Sequence, residues 1–190
     1  MATSSVEICR NGLLLLGDSV INSFDDDNDR TTLVANLWPN AVNAVLRAHP
    51  WNCATKMAIL GPESNTYGFD YAYSFLLPGE CLRILSVGRR GETPDYGLAG
   101  GRVMMDDNAC YLKYIFRNEN ISTYDASLVA ALEAYMAMLC AWPITKSASV
   151  QEAMKQLYVG LLQQAKNIDA QEQPVEDWLD SPLLSARHGG

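Results

Sequence analysis

The stretch "LRAHPWNCA", residues 46–54, places His49 and Cys53 four positions apart with Pro50 and Trp51 between them. Two readings compete. A thiol and an imidazole in hydrogen-bond reach make a nucleophile and its base, whereas a proline that ends a helix beside a large ring makes a corner. Pro50 decides between them, because the residue before a proline is pushed out of helical geometry and the chain turns there. Closeness in sequence across such a break does not bring His49 and Cys53 into catalytic register. The chain holds one other histidine, His188, and no G-x-S-x-G elbow. His49, Pro50 and Trp51 are therefore read as a structural joint: His49 serves the last carbonyls of a helix, and Trp51 fills the core.

On the N-terminal side of the joint the patterning is helical. Ser4 with Glu7 three residues on is a capping box, and Gly17 suits the left-handed position after a helix end. Ile8, Leu13, Leu15 and Leu16 give that helix apolar surface; Gly12 within it costs about 1 kcal/mol relative to alanine. A second helical pattern steps through Leu33, Leu37, Ala41, Val45 and His49, with an acidic start that suits the helix dipole. Pro39 predicts a kink or a break into two helices near Trp38.

On the C-terminal side the character changes. "TKMAIL", "CLRILSV", "GRVMM" and "CYLKYIFR" are short, rich in β-branched or aromatic residues, and bounded by Gly, Pro, Asn and Asp. They read as strands of an insertion at 55–120. "MMDDNACYLKY" reads as a hairpin turning at Asp107 and Asn108, and "GRRGETPDYGLAGG" as a loop between strands. Helical pattern returns with Leu128, Leu132, Tyr135, Met136 and Leu139 on one face, stopped by Pro143. A last helix starts from a box of Ser149 and Glu152 and carries Val150, Met154, Leu157, Leu161 and Ile168. The tail at 171–190 has two prolines and no helical period, yet keeps Trp178, Leu179, Leu183 and Leu184. Extended, it reaches at most about 60 to 70 Å. The expected fold is α+β: a helical bundle made from 1–54 and 121–170, a β-rich insertion at 55–120 and an extended C-terminal tail.

Composition narrows the function classes. At 190 residues, 48% hydrophobic and 19% charged, the chain has material for a substantial core and apolar surface to spare for an assembly. A net charge of −8 opposes a protein that grips nucleic acid by its phosphates. The five cysteines form no C-x-x-C pair, so they read as reduced, mostly buried residues of a chain made in a cytoplasm. The apolar run Leu13 to Leu16 is too short to span a membrane, and no signal peptide is expected.

Three motifs are read as structural. Asp25, Asp26, Asp27 and Asp29 resemble a calcium loop, but Arg30 stands at its glycine position and Asn36 at its glutamate, so a solvated helix start is expected. "GLAGGR" lacks the Lys-Ser or Lys-Thr of a phosphate cradle and leads into a strand. Arg83, Arg89, Arg90 and Arg102 are candidates for contacts with DNA phosphates or with an adjacent subunit. "LEAYMAMLCAW" reads as ordinary packing, and the exposed-looking "YGFDYAY" as surface available to subunit contacts. No catalytic residue, metal ligand or cofactor site is expected.

"LLLLGD", "SFDDDNDR", "AVLRAHPWNCA", "LPGECLRILSV" and "LVAALEAYMAMLCAWPIT", in this order over about residues 6 to 170, together resemble the tail tubular protein A family. These are the head-to-tail adaptors of short-tailed bacteriophages. "LRAHPWN" and "LPGECLR" are the most specific pieces. The resemblance implies a virion protein without catalysis: a dodecameric ring docked under the portal protein, presenting a surface to the tail nozzle protein and letting genomic DNA pass without sequence-specific binding. It also implies a helical bundle interrupted by a β domain, and a C-terminal segment that docks on the portal. No motif aligns the tail here with that segment, so portal docking falls to Trp178, Leu179, Leu183 and Leu184 on apolar content alone. Two rivals stand beside it: a small hydrolase using Cys53 or an acidic pair, and a DNA-packaging protein that binds duplex directly.

Overall fold

Local capping chemistry sets the helix starts in the computed structural model, which describes residues 4–64 and 70–172. Ser4 Oγ accepts the Glu7 N–H at 3.2 Å and starts α1, Ser5–Leu15. At its far end Gly17 takes φ +69°, so that its own N–H and that of Asp18 reach back to the Leu14 and Leu13 carbonyls. This Schellman closure satisfies carbonyls the helix would otherwise leave open.

Asn28 Oδ1 accepts the Thr31 N–H at 2.9 Å and starts α2, Asp29–Arg47, with Asp29 in the first turn. The expected break at Pro39 does not occur; α2 is continuous through it. A proline inside a helix costs about 3 kcal/mol. Val34, Ala41, Val42 and Val45 are buried on both sides of it, and each buried valine returns roughly 1.5–3 kcal/mol. Packing wins over the local defect.

Asp125 caps α3, Ala126–Thr145, by accepting the Ser127 and Leu128 N–H groups at 2.6 and 3.0 Å. Pro143 was expected to stop this helix, but it continues to Thr145. It ends at Lys146, which turns left-handed at φ +53° and returns its N–H to the Trp142 carbonyl. The one-sided stripe is also corrected. Leu128, Val129, Ala131, Leu132, Ala134, Met136, Ala137, Cys140 and Ala141 are buried around the circumference, because α1, α2 and a fourth helix all pack on α3. By length and composition α3 is apolar enough to cross a membrane, and here it is the central helix of the core, the place for a segment apolar all round.

The fourth helix, α4, Ala148–Gln171, runs for about 36 Å at 1.5 Å per residue. Its cap is Ser147, not the expected Ser149: Ser147 Oγ accepts the Val150 N–H and lies 2.9 Å from Ser149 Oγ. The left-handed turn at Lys146 ends α3 so close to α4 that the earlier serine takes the capping place. The stripe shifts too. Tyr158, Leu162, Ala165 and Asp169 face the core, while Leu157 and Ile168 are exposed.

Gly12 sets the approach of α1 to α3. A Cβ there would meet the Glu133 carbonyl oxygen and Met136 Cβ, both at 3.0 Å. Gly12→Ala is expected to destabilise by about 1–3 kcal/mol despite its better helix propensity, because overpacking forces backbone apart. A denaturation midpoint that rises would show that the two helices separate freely.

Between α2 and α3 lie seven strands among the described residues. They are β1 Thr55–Leu60, β2 Glu63–Ser64, β3 Tyr73–Leu76, β4 Cys81–Val87, β5 Gly97–Ala99, β6 Arg102–Met105 and β7 Cys110–Phe116. They form two antiparallel sheets, ordered β1-β7-β4 and β2-β3-β6-β5. Phe75, Val103 and Met105 of one sheet meet Val87, Cys110, Leu112 and Tyr114 of the other in a shared core.

That core explains a correction. Asp107 and Asn108 do not turn a hairpin, since β6 pairs with β3 and β5 while β7 pairs with β1 and β4. Residues 106–109 carry the chain from one sheet to the other. Val103 and Met105 thereby face Cys110 and Leu112 across the core, where direct pairing would set them side by side on one face.

The segment read as the loop "GRRGETPDYGLAGG" ends in a hairpin of β5 and β6. Gly100 and Gly101, at φ +55° and +73°, make its two-residue turn, a conformation that suits glycine. Of "YGFDYAY", residues 67–69 lie outside the described residues, and Tyr73 belongs to β3.

Candidate functional site at the junction of helices and sheet

One of the cores, drawn from both chain ends and the β1-β7-β4 sheet, is built around 46–54. Past the end of α2, Trp51 turns inward and is 0% exposed, with Nε1 donating to the Val45 carbonyl at 3.0 Å. It packs with Ile8 of α1, Leu128 and Leu132 of α3, Ala165 of α4 and Ile115 of β7. One indole thus touches a core drawn from both chain ends and the sheet.

His49 sits edge-on to that indole, ring centroids 4.8 Å apart. Its expected partners were the last carbonyls of α2. The partner is instead Asp169 of α4: His49 Nε2 lies 3.1 Å from Oδ2, and the Asn52 N–H donates to Oδ1 at 3.0 Å. Asn52 Nδ2 also donates to the Asp169 carbonyl at 3.1 Å. Asp169 is only 3% exposed, and a carboxylate taken that far from water needs these donors.

Burial pulls the His49 pKa below its ordinary value; the Asp169 carboxylate pulls the other way, and Lys166 and Arg83 add to the lowering. A neutral ring facing a carboxylate carries its proton on Nε2. The polar network extends to the strands. Asn118 Nδ2 donates to the Cys53 carbonyl at 2.7 Å and to Thr123 Oγ1 at 2.8 Å, and the Tyr124 hydroxyl donates to the Asn118 carbonyl. Arg47 donates to the Leu82 carbonyl at 2.6 Å, which ties the end of α2 to β4.

The chemistry available here is limited by protonation. Burial pushes the Cys53 thiol up to about 12, reinforced by the Asp169 and Asp125 carboxylates. At neutral pH it is a thiol, a poor nucleophile. Cys9 and Cys140, which are fully buried where Cys53 is half-buried, are pushed up to about 12 and about 11. Among the described residues no group of three His, Cys, Asp or Glu side chains could hold a metal ion. In the acidic run, Asp26 Oδ2 accepts the Asn22 and Ser23 N–H groups and Asp25 accepts from Ser23 Oγ, so two of these carboxylates order their own loop.

The four arginines do not form one patch. Arg83 lies on β4 at the joint; Arg89 and Arg90 follow the far end of β4; Arg102 belongs to the other sheet and pairs with Glu63 at 2.6 Å. Arg89 stacks over Tyr111, its Cζ 4.5 Å from the ring centroid. A cleft of about 290 Å³ opens beside the joint between Trp38, Pro39, Val42, Arg117 and Tyr124. Trp178, Leu179, Leu183 and Leu184 lie outside the described residues.

Sequence reasoning placed Trp51 in the core, where it lies, and missed Asp169. Asp169 is one acid on a largely polar helix, far along the chain from His49. The signal was positional: it falls four residues after Ala165, where the buried stripe calls for an apolar side chain. No family model and no curated protein matches this chain.

Proposed function

We propose that this chain is a subunit of a head-to-tail connector ring of a short-tailed bacteriophage, the role its resemblance to the tail tubular protein A family implies. One observation carries the reading. The two stretches most specific to that resemblance, 46–52 and 77–83, are distant in sequence yet meet at the joint through Arg47 and the Leu82 carbonyl. Residues that jointly build one structural corner are what a shared architecture would retain.

In this reading the four helices are a bundle made from 1–54 and 121–170, residues 55–120 are its insertion, and 171–190 is the docking tail. A connector joins two larger bodies and has to move as one piece. The Asp169 network favours that, since it fastens the end of α4 to the turn between α2 and β1. The net charge of −8 suits a channel wall that genomic DNA passes without sticking. The raised Cys53 pKa weighs against the hydrolase rival, and the scattered arginines against direct grip on duplex.

Cryo-electron microscopy of the native particle tests the proposal. The expected result is a closed ring of this chain, twelvefold by the resemblance, between the portal protein and the tail nozzle protein. A purified infectious particle without the chain would overturn it.

A further inference from the structure

The face of the β1-β7-β4 sheet turned away from the second sheet is half covered. Near the joint, Ile115, Leu82 and Leu85 pack it into the helical core. Side chains alternate along a strand, so Tyr111 and Lys113 share the face of Ile115, with Ile59 and Met57 opposite them on β1. Among the described residues the cover stops there: Met57 is 79% and Ile59 69% exposed. Arg89 stacks on Tyr111 and donates to its hydroxyl, which holds a guanidinium at the edge of the patch. Lys113 is exposed and makes no ion pair among the described residues. Two uncovered apolar side chains and two cations, of which Arg89 has the Glu92 carboxylate beside it and Lys113 has none in an ion pair among the described residues, form one surface on a chain of net charge −8.

The complement of this surface is carried by the chain itself. Asp25, Asp27 and Asp29 are exposed at 23–29, beside the half-buried Phe24. Ile21 and Phe24 anchor that loop to a helical cluster of α1, α2 and α3 that contains no strand residue. The Trp51 core lies between that cluster and the sheet, so the loop does not meet the patch of its own chain.

We propose that the uncovered half of the β1-β7-β4 face receives the 23–29 loop of a second copy of this chain. Patch and complement sit at different places, so the contact is head-to-tail and repeats from copy to copy, closing into a ring or running on as a filament. The inference rests on the connector reading for its closure; the charge complementarity stands on the patch and the loop.

The test uses the full chain carrying Asp27→Cys and Lys113→Cys together. Three native cysteines are buried and two half-buried, so the engineered pair is the exposed one. Mild oxidation is expected to give a ladder of cross-linked multimers, absent from the wild type and from either single variant. Arg89→Glu with Lys113→Glu is expected to weaken self-association at low salt by at least about tenfold. Mixing that variant with chains carrying Asp25→Lys and Asp27→Lys should restore it.

A ladder that closes at one mass by native mass spectrometry supports both contact and ring. One that lengthens without limit supports the contact and overturns the ring. Wild-type rings with no cross-link in the double variant overturn the contact and leave the connector reading standing. A chain that stays monomeric and uncross-linked at its highest soluble concentration overturns the contact. So does a charge-reversed variant that loses duplex DNA binding while self-association is unchanged.

Discussion

Trp51→Ala is expected to lower the free energy of unfolding by about 3–5 kcal/mol, the range for deleting a buried aromatic side chain that leaves a cavity. The upper end applies here. Trp51 is buried in a core built from helices of both chain ends and the sheet, so no single neighbour can move in without parting from the others. Trp51→Phe separates the contributions. It keeps much of the apolar volume and removes the Nε1–H bond to Val45, whose carbonyl still accepts the Ala48 N–H at 3.2 Å. Its cost should stay near about 1–2 kcal/mol. Urea denaturation of the three proteins decides the matter, and a loss under about 1 kcal/mol for the alanine variant would remove Trp51 from the centre of the fold.

Asp169→Ala is expected to cost about 2–4 kcal/mol. Hydrogen bonds to a charged acceptor contribute roughly 1.5–3 kcal/mol each, and two such donors lose Asp169; relief from burying a carboxylate offsets part of the loss. The His49 partner makes the effect depend on pH. Its folded pKa lies below the ordinary value of 6.5, chiefly through burial. The unfolded chain therefore takes up the proton first as pH falls. Stability from keeping His49 neutral is whole above that ordinary value and is lost as pH drops from it toward the folded value. Between about pH 7 and about pH 5 the wild type should lose stability more steeply than His49→Gln, which retains a donor for Asp169 but does not titrate. Equal slopes would show that His49 does not govern the junction in this range. Asp169→Asn removes the one side chain that raises the His49 pKa, so the loss should still begin near the ordinary value but extend to lower pH and grow larger.

The parts of the fold legible in the sequence are those fixed by chemistry within a few residues. Ser4 and Gly17 bound α1 because a side-chain acceptor and a left-handed glycine act locally. The strands at 55–60, 81–87, 102–105 and 110–116 show through their β-branched and aromatic content. What was illegible was decided at a distance. Asp107 and Asn108 supply turn chemistry, yet whether β6 and β7 pair depends on which side of a core each must face. Pro39 and Pro143 break helices in isolation, and only the burial of their neighbours shows that these helices continue. At the site, Trp51 announced itself by size, whereas Asp169 has meaning only through partners that the fold delivers from far along the chain.

The central place of α3 carries a consequence for how the chain comes into being. Synthesis runs from the N-terminus, and α1 and α2 both bury their apolar faces against a helix whose last residue is Thr145. Until that segment leaves the ribosome, Ile8, Leu13, Val34 and Val45 lack the helix that completes their core. The strands between 55 and 116 already hold all their pairing partners. Folding during translation should therefore start from the middle of the chain and reach its ends last, leaving α1 and α2 in need of protection by a chaperone for most of synthesis.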